Sequence, residues 1–309
     1  MGILSFGKIK RSMSRDHSPA VFVGVLAVAL VAMGHGAIFV RLADADPIVV
    51  AAFRLGIATV VLAPFTLVFA LSDLRALTTR EMRLIAGAAT FLALHFATWI
   101  TSLDFTSIAN SVVLVTLNPV WLALYGLLIL RTPPGQLTWL SIAFAVAGSV
   151  IIALGSAGGG NTSLLGDFLA LIGGICFAGF LLFAQKARQS VALLPFVTLI
   201  YGGAAVWLWL AVIVLALPVT GLTANTYGAL IAIALVSQVI GHTGYNFAAR
   251  AVPTTLLAVT LLGEPVFATL FGWLYFGEGF GWPTALGGVL ILAGIWLGTR
   301  ANGQSGQMG

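Results

Sequence analysis

The stretch TTLLAVTLLGEPVFATLFGWLYFGE, Thr254 to Glu278, decides the fold. It is an apolar run with a carboxylate and a proline, Glu264-Pro265, where the centre of a bilayer would fall. Proline has no backbone N–H, so Pro265 frees the carbonyl of Leu261 and opens polar backbone at that depth. A fainter copy, IANSVVLVTLNPVWLALYGLLILRT, runs from Ile108 to Thr132 and carries Asn118-Pro119 at the matching place. The copies lie 146 positions apart, since Pro119 and Pro265 differ by that number. The same offset pairs Val120 with Val266, Leu124 with Leu270 and Gly126 with Gly272. It goes on without a gap to pair Thr138 with Thr284, Ala147 with Ala293 and Gly148 with Gly294.

Composition says what surrounds these copies. Of 309 residues, 60% are hydrophobic and 7% charged, against about 25% charged in a soluble domain. With a mean hydropathy of +1.09, the chain reads as a polytopic α-helical membrane protein. The alternation that a membrane barrel needs is absent. The one cysteine, Cys176, excludes an internal disulfide and a cysteine metal cluster. The basic, apolar N-terminus resembles a signal peptide, but its apolar run is too long for an h-region and reads as an uncleaved first helix.

Apolar runs between polar, Gly or Pro breaks predict ten spans: roughly 19–41, 47–72, 81–102, 107–131, 136–155, 164–186, 191–217, 224–247, 254–277 and 282–300. The domain reading is a cytoplasmic tail (1–18), a first five-helix repeat (19–155), a Gly-rich linker (156–163), a second repeat (164–300) and a cytoplasmic tail (301–309). With the N-terminus inside, Lys8, Lys10, Arg11, Arg15, Arg75, Arg80, Arg83, Arg131, Lys186, Arg188, Arg250 and Arg300 all fall on the cytoplasmic side. Asp44, Asp46, Asp104, Asp167 and Glu278 fall outside, and of the fourteen cations only Arg41 lies at the outer edge, with Arg54 within a span. The net charge of +5 therefore sets topology and does not signal nucleic acid. Five spans per half is an odd number, so the repeats enter the membrane in opposite directions. Inverted repeats around a midplane site mark alternating-access carriers.

Ionisable residues within spans are costly and each needs a reason. Glu264 reads as a substrate-amine or proton site or a gate, or equally as a protonated residue holding a kink. Asn118 and Asn110 are weaker candidates of the same kind. His95 on span three and His242 on span eight are near-equivalent in the two halves. His95 shares a helical stripe with Phe91, Trp99 and Ser102, and His242 with Gln238 and Tyr245. Facing stripes of imidazole, indole, amide and phenol suit an amphipathic ligand. Arg54 lies seven residues into span two; it either snorkels outward or turns inward, to an acid of the outer gate or a ligand carboxylate. His35, between Gly34 and Gly36, reads as packing. A phosphate loop, a metal motif and a nucleophile elbow are all absent from the sequence, which argues against an ATP-driven pump. No metal or cofactor is expected.

Ten spans in two halves, Gly263-Glu264-Pro265-Val266, Gly272-Trp273-Leu274 and Gly277-Glu278 together resemble the drug/metabolite transporter superfamily, in its ten-helix EamA-type branch. Within that branch the chain is similar to exporters of aromatic and other amino acids. The resemblance implies a basket in which spans one, three, four, six, eight and nine wall a central cavity. It also implies that Glu264-Pro265 belongs to a kinked helix and that Arg54, after Pro47, is the second-span arginine. The first half departs from the pattern, with Asn118 in place of the carboxylate and Arg131-Thr132 in place of Gly277-Glu278. The resulting expectation is an inner-membrane exporter of amino acids, aromatic ones included, and not an enzyme. Substrate would lie between His95, Trp99, Phe91, Gln238, His242 and Tyr245. Glu264, Pro265, Asn118, Pro119 and Arg54 would gate or couple, with proton coupling and facilitated export both open. Export of another class such as nucleosides, or a lipid-acting membrane enzyme, are the alternatives.

Overall fold

The computed structural model describes residues 19–106, 108–128, 131, 135–156, 163–250, 252, 254–277 and 282–305. Residues 1–18 and 306–309, linker residues 157–162 and Glu278 lie outside them. Every regular element among the described residues is a helix. Span one is α1 (Pro19–Gly34) and α2 (Gly36–Leu42); span two is α3 (Pro47–Phe69), followed by the short α4 (Leu71–Arg75). Spans three and four are α5 (Thr79–Ser102) and the pair α6 (Ile108–Val115) and α7 (Asn118–Leu128). Spans five, six and seven are α8 (Gln136–Ser156), α9 (Leu164–Arg188) and α10 (Leu193–Val214). Span eight joins α11 (Ala224–Ala232), a π-helix (Ile233–His242) and α12 (Thr243–Ala248). Span nine is α13 (Thr254–Leu261) and α14 (Glu264–Phe276), and α15 (Trp282–Ser305) closes the chain.

Eight of these spans are long and apolar enough to cross a membrane. Two shorter apolar stretches, Gln136–Ile151 and Ala285–Gly298, lie in α8 and α15. Helix starts follow local chemistry. Asp46 accepts from the Ile48 N–H at 2.8 Å with Pro47 in the first turn, and Thr78 and Glu81 form a reciprocal capping box. Gly277, at φ 67°, takes the left-handed conformation that ends α14.

Spans four and nine are interrupted at the same place. In the first, Leu117 N–H bonds Leu114 O at 3.4 Å and Val120 N–H bonds Leu117 O at 2.9 Å. In the second, Gly263 bonds Thr260 at 3.0 Å and Val266 bonds Gly263 at 3.2 Å. All four bonds close over three residues instead of four, and adding 146 to the first pair gives the second. The prolines explain this, because neither Pro119 nor Pro265 can donate to the α-helical ladder. The expected interruption at Pro265 is present, and its counterpart in the first half matches it.

Helix pairings come in matched twos. α5 packs along α9 as the span-eight segments pack along α1, and α7 meets α9 as α14 meets α1. α3–α10 and α8–α15 are contacts between equivalent spans. In the last of these, a Cβ at Gly148 would lie 2.4 Å from Gly287 O and 2.9 Å from Ile291. A Cβ at Gly294 would lie 2.8 Å from both Ser141 O and Ala145 N. Gly148 and Gly294, Ser141 and Gly287, and Ala145 and Ile291 are all 146 apart. The two helices therefore run antiparallel, each resting a glycine on the other's backbone. The Ser141 hydroxyl also donates to Gly294 O at 2.7 Å.

The ends of the bundle sort by charge. Loop 103–106 joins the start of α9 through Thr106 Oγ1, which donates to Asp167 Oδ1 at 2.8 Å. Asp44, Asp46 and Asp104, with the cation Arg41, share an open vestibule of about 540 Å³ at that end. At the opposite end Ser190 donates to Glu81 Oε1 at 2.6 Å, and Arg80, Arg83 and Lys186 fall in the helix turns that flank that bond in sequence.

Candidate functional site

Arg54 stands at the centre, 1% exposed despite its charge. Its Nε donates to Gln238 Oε1 at 2.6 Å, a bond between spans two and eight. The guanidinium lies over the Phe96 ring at 4.0 Å and near that of Trp99 at 5.9 Å. Outward snorkelling is thus overturned: the side chain turns inward and is fixed by neutral partners.

His95 is also buried. Its Nδ1 donates to Gly173 O at 3.0 Å on α9, which leaves Nε2 as an acceptor. Its ring stacks on Trp99 at 5.9 Å and 2° between planes. His242 lies across the bundle, and two phenylalanines bridge the pair. Phe96 is 4.7 Å from His95 and 5.3 Å from His242, and Phe177 is 4.7 Å and 6.0 Å from them. The two stripes do face each other, with Phe96 and Phe177 between them. Tyr245 is fully buried, 6.4 Å from Phe177.

Both histidines, Arg54 and Trp99 line a cavity that the interrupted spans complete. Asn118 and Thr116 contribute from span four, Leu261 and Glu264 from span nine, and Met33 from span one. Asn118 and Glu264 are the first residues of the half-helices α7 and α14. The positive ends of two helix dipoles therefore meet the cavity. Its volume is about 20 Å³, room for one water rather than an amino acid. Several buried polar atoms have no partner among the described residues: Arg54 Nη1, Trp99 Nε1, Asn118 Oδ1, Gln238 Nε2, His242 Nδ1 and Tyr245 OH. Such concentration is unusual, because buried polar groups are nearly always bonded.

Not every expected residue comes here. Phe91 lies apart, in a lateral groove of about 610 Å³ lined also by Trp121, Tyr125, Gly179, Phe183 and Lys186. Its ring meets Phe183 at 5.7 Å, because Gly179 leaves it room against α9. Gln238 and Tyr245 stand behind the cavity and do not line it; Gln238 acts on it through Arg54. Ser102 bonds Ser111 at 2.6 Å, towards the acidic end. His35 packs, as read, with its ring 3.7 Å from that of Phe271. The side chain of Asn110 lies outside the described set. Sequence reasoning missed Phe96, Phe177, Met33 and Thr116. It also missed the π-helix carrying Gln238 and His242, a form often found at functional sites.

A sequence profile of the EamA-like transporter family matches the chain twice, at residues 19–154 and 164–300. Two proteins of Archaeoglobus fulgidus, each described as an uncharacterized transporter, are similar. One is 23% identical over 290 residues, covering 89% of this chain and 95% of its own length. The other is 25% identical over 232 residues, covering 69% and 74%. A solved crystal structure shares the fold with a TM-score of 0.73 at 18% identity, covering 92% of this chain and 98% of its own.

Proposed function

The chain belongs to the EamA-like transporter family, and from that premise we propose that it is a secondary carrier exporting amino acids, aromatic ones included, across the inner membrane by alternating access. The observation that carries this reading is the pair of spans interrupted at matching positions around a buried cavity that both halves line. Discontinuous helices at a repeat interface are how many carriers build a midplane site.

In this reading α8 and α15 complete five spans per half, with residues 19–155 and 164–300 as inverted repeats. The antiparallel glycine contact of Gly148 and Gly294 supports it, as does the profile matching once in each half. The basic end faces the cytoplasm with both termini, and the acidic vestibule faces out. The small cavity makes this conformation an occluded one. Bending at Pro119 and Pro265 opens it to either side.

The lining supports an amphipathic substrate. Trp99 and Phe177 offer ring faces, and His95, His242, Asn118 and Glu264 offer polar contacts. Glu264 and the histidines can carry protons, while downhill export needs none. Exchange with and without an imposed pH gradient separates the two. The test is transport of labelled phenylalanine by purified protein in liposomes. His95→Ala combined with His242→Ala should lower the rate at least tenfold. Wild-type rates in that double variant would remove the substrate role of the two stripes.

A further inference from the structure

Resting on the reading of the central cavity as a substrate site, we propose that Arg54 is its carboxylate receptor, so that the transported ligand carries an organic acid group and a simple amine is refused. Arg54 cannot shed its proton in a protein, and a buried cation is stable only when it is paired. Its partners here, Gln238 and the rings of Phe96 and Trp99, are all neutral. Among the described residues no acid lies within 4.0 Å of it, Glu264 lining the same cavity without an ion pair to it, and Nη1 has no partner. A guanidinium fork matches the two oxygens of a carboxylate, whereas a hydrogen bond to glutamine occupies only Nε.

The position of the free edge fits this role. A Cβ on Gly36 would lie 3.8 Å from Arg54 Nη1 and 3.4 Å from the Trp99 ring. Gly36 falls between Ala37, which lines the acidic-end vestibule, and Met33, which lines the cavity. The unpaired edge thus stands on the path between them. Trp99 Nε1, a second orphaned donor, lines the same cavity. The half-helix N-termini at Asn118 and Glu264 add positive potential. The same cavity also holds acceptors, the Glu264 carboxylate and Asn118 Oδ1, which has no partner. Donors and acceptors lining one cavity complement the carboxylate and ammonium of an α-amino acid. A purely structural arginine, clasping spans two and eight through Gln238, would make no such distinction among ligands.

The experiment compares three probes sharing one phenylethyl skeleton as competitors of labelled phenylalanine exchange in liposomes: phenylalanine, 3-phenylpropionate without the amine, and phenethylamine without the carboxylate. Phenylpropionate should compete within tenfold of phenylalanine, and phenethylamine should be at least tenfold weaker than phenylpropionate. Arg54→Lys should weaken phenylpropionate at least tenfold, and Arg54→Gln should abolish its competition. Phenethylamine competing as well as phenylpropionate in the wild type overturns the inference even if no Arg54 variant folds, and leaves the exporter reading standing. Undiminished competition by phenylpropionate in a folded Arg54→Gln protein overturns it too. If phenylalanine is not exchanged, the amino-acid reading fails. The inference is then decided on wild-type protein by thermal stabilisation with the same acid and amine: stabilisation by the acid alone upholds it, and any other result overturns it.

Discussion

Replacing Gly148 by alanine places a methyl group 2.4 Å from the carbonyl oxygen of Gly287 and 3.0 Å from the amide of Ile291. Carbon and carbonyl oxygen normally approach no closer than about 3.3 Å, so α8 and α15 must part by about 0.9 Å. Both obstructing atoms are backbone and cannot rotate away. The move also stretches the 2.7 Å bond from Ser141 to Gly294 O. Overpacking of this kind costs about 1–3 kcal/mol, and alanine returns up to about 1 kcal/mol of helix propensity over glycine. The expected net loss is about 1–2 kcal/mol for Gly148→Ala. It is smaller for Gly294→Ala, whose Cβ would stop 2.8 Å from its nearest atoms. Because one separation relieves both clashes, the double variant should fall short of the sum by about 0.5 kcal/mol or more. Unfolding in mixed detergent–lipid micelles, followed by circular dichroism, measures this. Gly228→Ala serves as the control, since nothing lies within 4 Å of its added Cβ. A Gly148→Ala protein as stable as wild type, or strict additivity of the pair, would refute the close two-fold contact.

Two further outcomes follow from the polar groups. Gln238→Glu offers Arg54 a buried carboxylate, and should raise the unfolding midpoint while slowing exchange at least tenfold; a faster carrier would mean that the Arg54–Gln238 bond does not govern opening. Asp104 borders the vestibule, and partial burial together with Asp46 raises its pKa above the ordinary 3.8. Its ionised form therefore destabilises the fold at neutral pH, a penalty that disappears as pH falls through the carboxyl range. Asp104→Asn should accordingly raise the midpoint slightly at pH 7 and not below pH 4. Equal shifts at both values would contradict that assignment.

Much of this architecture is legible in the sequence because bilayers impose blunt constraints. Runs of about twenty apolar residues mark the spans, and the prolines mark the interruptions of spans four and nine. The offset of 146 that pairs Pro119 with Pro265 reappears in the hydrogen bonds themselves. The site was only half legible. His95, Trp99, His242, Asn118 and Glu264 meet at one cavity because each is polar or amphipathic where lipid would reject it. Phe91 does not join them: one turn before His95 on α5, it packs on Gly179 and Phe183 of the same neighbour, α9, away from the cavity. Phe96 and Phe177 carry no signal among 20 phenylalanines. The π-helix has neither proline nor a motif to announce it. Arg54 was visible as a charge within a span, but its direction depends on Gln238, 184 residues away.

Counterflow tests the central claim most directly. Liposomes holding the purified protein and loaded with unlabelled phenylalanine are placed in a trace of labelled phenylalanine. A carrier with one alternating site predicts transient accumulation of label above equilibrium, saturating with external substrate and lost in the His95→Ala, His242→Ala double variant. Linear, unsaturable entry without overshoot would contradict it.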